Sequence, residues 1–527
     1  MIEDAAADAP NIARAFLRWG ARRGWNAPLF SDFGAPPLSY QKTYRAAFAL
    51  GEILARRAGD DSRIGVMLPS SAGAAVVFYA ALLRGLTPAM LNPAAGKRNL
   101  IAACETANIR AVYTSQKLLD NSDAARTAAA ALRREGIEAV CLESLRPQIG
   151  AKAKLRAAAA AAMPSFSGAR LPGAAAAADD VAAVLFTSGS EGRPKGVALS
   201  HKNLLANAAQ VLSRLGDLRG ETMLNSLPVF HSFGLLAGVV LPAAGGAFAV
   251  QYPSPLHYRK IPEVIRRTRA TVFFSADSFL AAYAREANPE DMRGLRRVFA
   301  GAEKLRESTR REWADKFGAD ILEGYGVTEA SPVIAVNTPG ENRRGAVGRP
   351  LAGMETRIAK REGVSRGGAL FVRGPNVMRG YLDSRAPGGI SPPPDGWHDT
   401  GDIAEMDDDG FLRIQGRARR FVKIAGEMTP LDGVEEAMQN AFPRARFAAV
   451  RIADDNRGEQ IAALCDDPQI VRAKIAAAFQ ASGLPPLWIP RLIIAVPEIP
   501  QLPTGKTDYP AAQEIAESRR PEKSGDE

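Results

Sequence analysis

Amphipathic stretches such as YRAAFALGEILARRAG (44–59) alternate with short apolar runs, RIGVMLP (63–69), AVYTS (111–115) and EAVCLE (138–143). Strand-sized runs separated by helical stretches predict a parallel sheet covered by helices. At 527 residues the chain is too long for one core, so two or more domains are expected. Beyond Gly345 the texture turns to short strands and hairpins, GGALFVRGP (367–375) and DDDGFLRIQGR (407–417), with Asp409-Gly410 as a turn. A small αβ segment follows, ending near Tyr509, and the charged residues after Pro510 are expected to be disordered. The Ala-rich tracts at Ala157–Ala162 and Ala174–Ala178 read as helix or linker. The uncharged run Phe233–Val250 is long enough to tempt a membrane reading. Pro242, Gly245 and Gly246 divide it, which predicts a buried helix followed by the strand AFAVQY.

A net charge of +10 favours acidic partners: nucleotide phosphates, an acidic protein or an anionic membrane surface. Nucleic acid is not expected, because the arginines are scattered and not interleaved with aromatic residues. Cys104, Cys141 and Cys465 are isolated and odd in number, so neither a disulfide framework nor a zinc site is indicated. MIEDAAADAP lacks the basic start and apolar core of a signal peptide, and a cytoplasmic protein is expected, with peripheral contact at the inner membrane surface left open.

TSGSEGRPKG (187–196) carries the chemistry. Apolar Val184, Leu185 and Phe186 lead into it as a strand would, and glycines with hydroxyls then open the backbone. Such loops present N–H groups to phosphate, with Lys195 as point charge. The spacing is not G-x-x-x-x-G-K-[ST], which disfavours a kinase or GTPase.

ILEGYGVTEASP (321–332), WHDTGDI (397–403), GRARRFVKIAGE (416–427) and PQLPTGK (500–506) follow in order. Together with the glycine-rich loop, they closely resemble the adenylate-forming superfamily over nearly the whole chain. PAMLNPAAG, PVFHSFGL, YPSPLHYR, AGAEKLREST and FVKIAGEM resemble the acyl-carrier-protein synthetase half of bifunctional 2-acylglycerophosphoethanolamine acyltransferases. None of the four histidines opens an H-x-x-x-x-D motif, so lysophospholipid acylation is not expected.

The resemblance implies an α/β fold: a large N-terminal domain of layered, helix-covered sheets with a small β-rich subdomain (1–419), a small mobile α+β C-terminal domain (420–510) hinged near Arg420, and a tail (511–527). It implies a ligase that converts a fatty acid and ATP, with Mg²⁺, into acyl-AMP and then transfers the acyl group to acyl carrier protein or, alternatively, coenzyme A. A silent acyl-nucleotide-binding protein is a further alternative. Lys506, His231 and Thr328 match catalytic positions. Thr187, Ser188, Gly189, Ser190, Gly192 and Lys195 match the phosphate loop, Gly301, Ala302, Glu303 and Tyr325 the adenine segments, Asp402 and Arg417 the ribose contacts, and Glu329 the magnesium ligand. A buried, satisfied core histidine is the alternative reading of His231.

Glu191 departs from the usual threonine of the family. A carboxylate about 4 Å from a phosphate charge would cost about 1 to 4 kcal/mol, so it must point away, pair with Arg193 or Lys195, or meet a metal. If it is paired or turned away, Glu191→Thr leaves adenylation turnover within about tenfold, measured by pyrophosphate release. Complete loss in a folded variant would give Glu191 a specific role.

Overall fold

The computed structural model describes residues 9–188, 193–362, 364, 366–383, 389–424, 427–454, 458–501 and 507–519. The expected parallel sheet runs in the order Val181–Ser188, Thr87–Met90, Arg63–Val66, Ala111–Thr114, Glu138–Cys141. Pro194–Ser200, Gly380–Leu382 and Ile390–Ser391 extend it antiparallel beyond Val181–Ser188. The winding reverses between Arg63–Val66 and Ala111–Thr114, and in such sheets the carboxyl ends at the reversal open a crevice for ligands.

A second sheet of nine strands has a parallel centre: Ile321–Gly326, Arg297–Ala300, Val272–Ser275, Thr222–Asn225, Phe248–Gln251 and Pro28–Asp32. The helix Ala72–Leu83, AGAAVVFYAALL, is buried on all sides except at Gly73. A helix apolar all round belongs inside a core and not on a surface. The helix Tyr40–Ala58 is amphipathic instead; the Ser39 hydroxyl caps it by accepting the Lys42 N–H.

The run at 233–250 divides as expected. A helical segment with a π turn at Leu236–Val240 ends at Gly246, φ 79°, and the strand Phe248–Gln251 follows. Among the described residues no helix is long and apolar enough to cross a membrane.

The hairpin-rich stretch forms an antiparallel sheet of Glu355–Ala359, Gly368–Arg373, His398–Met406 and Leu412–Arg417. The chain then passes through a short 3-10 turn, Ala418–Arg420, into a separate sheet built from Phe421–Ile424, Glu427–Pro430, Phe447–Asp454, Gly458–Cys465 and Leu492–Ala495. One expectation fails here. The tail anticipated from residue 511 is helical through Ser518, with Ala512 and Ala516 fully buried in the core beside Val450 and Ile452. Its small apolar residues lie four apart, so the helix packs closely despite its charged flanks.

Two buried asparagines brace the segment 328–333, and a third braces the loop that carries one of them. Asn207 donates to the Val333 carbonyl (2.7 Å) and accepts the Val333 N–H (3.1 Å). Asn376 donates to the carbonyls of Ala330 (2.8 Å) and Val333 (3.1 Å). Asn203 caps the helix His201–Leu215 and donates to the carbonyls of Pro375 (2.8 Å) and Val377 (2.7 Å). Asn207→Leu strands the Val333 N–H and leaves its carbonyl to Asn376 alone, which should cost about 1–3 kcal/mol in denaturant unfolding. Asn207→Asp, which still accepts but cannot donate, should fall between the two.

Candidate active site

A cleft of about 2320 Å³ lies where the carboxyl ends of both parallel sheets meet the hairpin sheet and the small domain. Ser70, Ser71 and Ser115 line it from the first sheet, and Gly301, Ala302 and Gly324 from the second. Thr400 and Arg417 come from the hairpin sheet, and Thr507 and Tyr509 from the chain beyond the small-domain sheet.

Thr187 and Lys195 stand opposite each other where Val181–Ser188 and Pro194–Ser200 pair antiparallel, so the two strands flanking the glycine-rich stretch are hydrogen-bonded to each other. Lys195 is exposed and its ammonium lies 4.9 Å from the centre of the Tyr381 ring. The Tyr381 hydroxyl donates to Glu329 Oε1 at 2.8 Å. Burial, then the Glu329 charge, pushes the Tyr381 phenol well above its ordinary range, so it stays a donor. One tyrosine thus bridges Lys195 and Glu329. Thr328 and Glu329 occupy a 3-10 turn closed by Ser331 in the left-handed region, φ 72°. Thr328 Oγ1 is 3.3 Å from the Ser232 hydroxyl, and the Glu329 carbonyl accepts the Met378 N–H at 2.7 Å.

Asp402, 2% exposed and behind the cleft lining, faces Arg417 across the hairpin, with Arg417 Nε 3.1 Å from its Oδ1. The Tyr325 hydroxyl donates to Asp402 Oδ2. Burial raises the Asp402 carboxyl above its usual range, while Arg417 and Tyr325 pull it back. A ribose diol reaching this carboxylate would compete with both. Gly301 lies between the Phe233 ring, which a Cβ there would approach to 3.1 Å, and the Gly324 carbonyl. Ala302 adopts φ 67° and lines the cleft. Glu303 turns aside, its Oε2 accepting the Ser278 N–H at 2.9 Å at the start of the helix Asp277–Glu286, so only its backbone position accompanies the adenine segment.

His231 is exposed on the cleft wall beside Phe230, ring centres 4.8 Å apart. The buried histidine is His201 instead: its Nδ1 accepts the Ile12 N–H at 3.2 Å, and burial pushes it down to about 4. Gly189, Ser190, Glu191, Gly192 and Lys506 lie outside the described residues, as does the Ser188 side chain. Sequence reasoning missed Tyr381, His398 and Ser232. His398, held below its usual pKa by burial, lines the cleft with its ring 6.5 Å from that of Tyr381. Only its place in WHDTGDI could have signalled it, and RGYLD carries no local signal for Tyr381.

Arg417→Ala removes an influence that lowers the Asp402 pKa, so in the variant the folded state holds that proton more tightly. A raised carboxyl costs nothing below the unfolded value near 4, and its cost grows as pH rises toward the folded value. The variant's stability deficit relative to the parent should therefore be larger at pH 7 than at pH 4. The difference should be about 0.5–1 kcal/mol, small because 58% of the Arg417 side chain is in water. Urea unfolding at both pH values measures it.

Residues 16–382 match the AMP-binding enzyme family. The anthranilate–CoA ligase of Pseudomonas aeruginosa is 28% identical over 492 residues, 88% of this chain and 89% of that protein. A probable CoA ligase of Humulus lupulus is 31% identical over 287 residues, 52% of this chain and 51% of its own length. The long-chain-fatty-acid–CoA ligase of Bacillus subtilis is 28% identical over 341 residues, 62% and 60% respectively. The chain thus spans about half to three-fifths of the length of several curated relatives it matches and most of the anthranilate ligase. ATP-bound MatB of Rhodopseudomonas palustris superposes with a TM-score of 0.78 at 24% identity, covering 96% of this chain and 99% of that one. The anthranilate CoA ligase AuaEII with anthranoyl-AMP gives 0.79 at 21%, covering 97% and 98%. With that fold and a family match across residues 16–382, the chain belongs to the AMP-binding enzyme family.

Proposed function

We propose that the chain is an ATP-dependent fatty acid ligase of the AMP-forming kind. A carboxylate oxygen attacks the α-phosphorus of ATP and the bond to the β-phosphate breaks, giving acyl-AMP and pyrophosphate. A thiolate then attacks the acyl carbonyl and AMP leaves. The observation that carries this reading is the joining of three surfaces in one cleft: Lys195, Thr187 and Thr328 for phosphates, Tyr325 and Arg417, with Asp402 bonded to both from behind, for a nucleoside, and an apolar lobe. Phe233, Leu236, Phe274, Phe299 and Val336 wall that lobe, which suits a hydrocarbon chain. Relatives named as long-chain and medium-chain fatty acid ligases support the same acid class.

Glu329 fits magnesium. No cluster of three or more metal-ligating side chains exists among the described residues. Mg²⁺ characteristically takes one or two carboxylates and fills its shell with phosphate oxygens and water. Glu329 would hold it, with Oε1 already oriented by Tyr381; when bound, the ion neutralises phosphate charge as the α-phosphorus is attacked. Lys195 adds a fixed cation on the same side, and Thr328 a hydroxyl donor beside Ser232. Lys506 is assigned the carboxylate and α-phosphate; Thr507, its neighbour in sequence, lines the cleft.

The domains proposed are 1–419 and a small domain from 420 through the helix Tyr509–Ser518 that packs on its sheet, the second turning between half-reactions. Arg420 travels with the small domain. Its guanidinium bonds Asp432 (2.9 Å), Glu435 (2.8 Å) and the Ala449 carbonyl (2.6 Å) and lies 3.6 Å over Tyr509, so the turning point falls at Ala418 and Arg419.

For the acceptor we propose a phosphopantetheine thiol. The names of the relatives favour coenzyme A. Acyl carrier protein is the second reading, favoured by the positive charge and by exposed Arg419 and Arg444. Arg420 and Arg446 contribute less to such a face: Arg420 is tied inside the small domain, and Arg446 is engaged by Asp466 at 2.9 Å and Glu498 at 3.6 Å.

Pyrophosphate release across a panel of carboxylic acids, with each thiol in turn, tests the reading; no release with any fatty acid overturns it. Lys506→Ala should lower acyl-AMP formation by at least about a hundredfold, of order 3 kcal/mol. Thioester formation from supplied acyl-AMP should stay within a few-fold, and equal loss of both half-reactions would remove the assignment of Lys506.

A further inference from the structure

The three most exposed large apolar side chains among the described residues fall in one short stretch: Leu155 at 72%, Met163 at 62% and Phe166 at 57%. Exposed apolar residues scattered singly need no explanation, but a cluster marks a contact surface. The helix Ala151–Ala162 buries Ala157, Ala160 and Ala161 and packs on the helix Tyr40–Ala58. Leu155, Ala158, Ala159 and Ala162 share its outward face at helical spacing, so this surface helix is apolar on both sides. The short helix Pro164–Gly168 continues the face with Phe166, and its Gly168 is pressed against Leu17 of the helix Ile12–Arg23.

The surrounding charge has one sign. Between Glu143 and Asp179 the sequence holds Arg146, Lys152, Lys154, Arg156 and Arg170 and no acidic residue. Arg156 pairs with Glu52 at 2.8 Å, and the Arg170 guanidinium lies 3.4 Å over the Phe166 ring. Lys152 and Lys154 are exposed, and the adjoining helix presents Arg14, Arg18 and Arg22 to solvent one turn apart.

We propose that this face docks on an anionic phospholipid surface. Leu155, Met163 and Phe166 enter the boundary between headgroups and acyl chains, while the flanking lysines and arginines keep their stems on apolar surface and their charges at the lipid phosphates. A second copy of the chain is the poorer occupant, because pairing two faces in which cations predominate brings like charges together. Leu145 and Ile149, which line the cleft, immediately precede this helix, and Ala46, Ala49 and Leu50 of the helix beneath it line the cleft too. On the reading of the chain as a fatty acid ligase, docking therefore brings the cleft close to a reservoir of apolar acids.

The test is flotation of the whole chain with vesicles of phosphatidylcholine containing about 30% phosphatidylglycerol, against phosphatidylcholine alone. Binding should require the anionic lipid. It should fall at least about fivefold in Leu155→Ser/Met163→Ser/Phe166→Ser and in Lys152→Glu/Lys154→Glu. Pyrophosphate release with a short, water-soluble acid should be unchanged in both. A parent protein that stays unbound, or either variant floating as the parent does, overturns the proposal. So does a parent that sediments as a dimer, with the triple serine variant monomeric and neither bound to vesicles. Vesicle binding with no ligase activity on any acid would leave docking standing and remove the ligase reading alone.

Discussion

Val333 surrenders both its backbone groups to Asn207, and the geometry of the cleft depends on that pair of hydrogen bonds. A buried turn cannot leave its amides unpaired, since each unsatisfied group costs about 1–3 kcal/mol. Residues 328–332 belong to neither a regular strand nor a long helix, and Val333 opens the strand Val333–Val336, so partners for this stretch come largely from side chains. Asn207 and Asn203 stand one turn apart on the helix His201–Leu215, which begins directly after the strand leaving the glycine-rich loop. The segment that carries Lys195 and the turn that carries Glu329 are thereby referred to the same helix. Asn376 closes the lattice from the other side, and Tyr381 follows five residues later.

This bracing suits a site that must hold like charges apart until substrate arrives. Lys195 rests near the face of an aromatic ring, Glu329 accepts from a phenol, and Asp402 shares its proton affinity between burial and two partners. Each group thus has a compensating neighbour, Lys195 and Glu329 at the cleft wall and Asp402 buried behind it. Preorganised groups of this kind need little rearrangement when charge develops.

Much of this was legible in the sequence because strands and helices write their periods locally. RIGVMLP, AVYTS and EAVCLE are strands, Asp409-Gly410 turns a hairpin, and the divided run at 233–250 is helix then strand. The ordered motifs brought Lys195, Tyr325, Glu329 and Arg417 to one cleft. What escaped was set by tertiary contacts. Tyr381 gains its importance from strand pairing with Val197, and nothing in its own neighbourhood declares that. His201 and His231 cannot be sorted by local pattern, because burial is decided by a segment 189 residues away that supplies Ile12. The helix Tyr509–Ser518 was hidden by charged flanks, its buried face being only alanines.

Arg420 and Tyr509 stand at opposite ends of the small-domain sequence and stack on each other, with Glu435 accepting from the Tyr509 hydroxyl at 2.9 Å. The first residues of this lobe and the start of its last helix, Tyr509–Ser518, therefore meet at one knot. On the proposed two-domain reading, a twist applied at the neck would reach the lobe's first strand and its last helix together, because one stack ties the start of both.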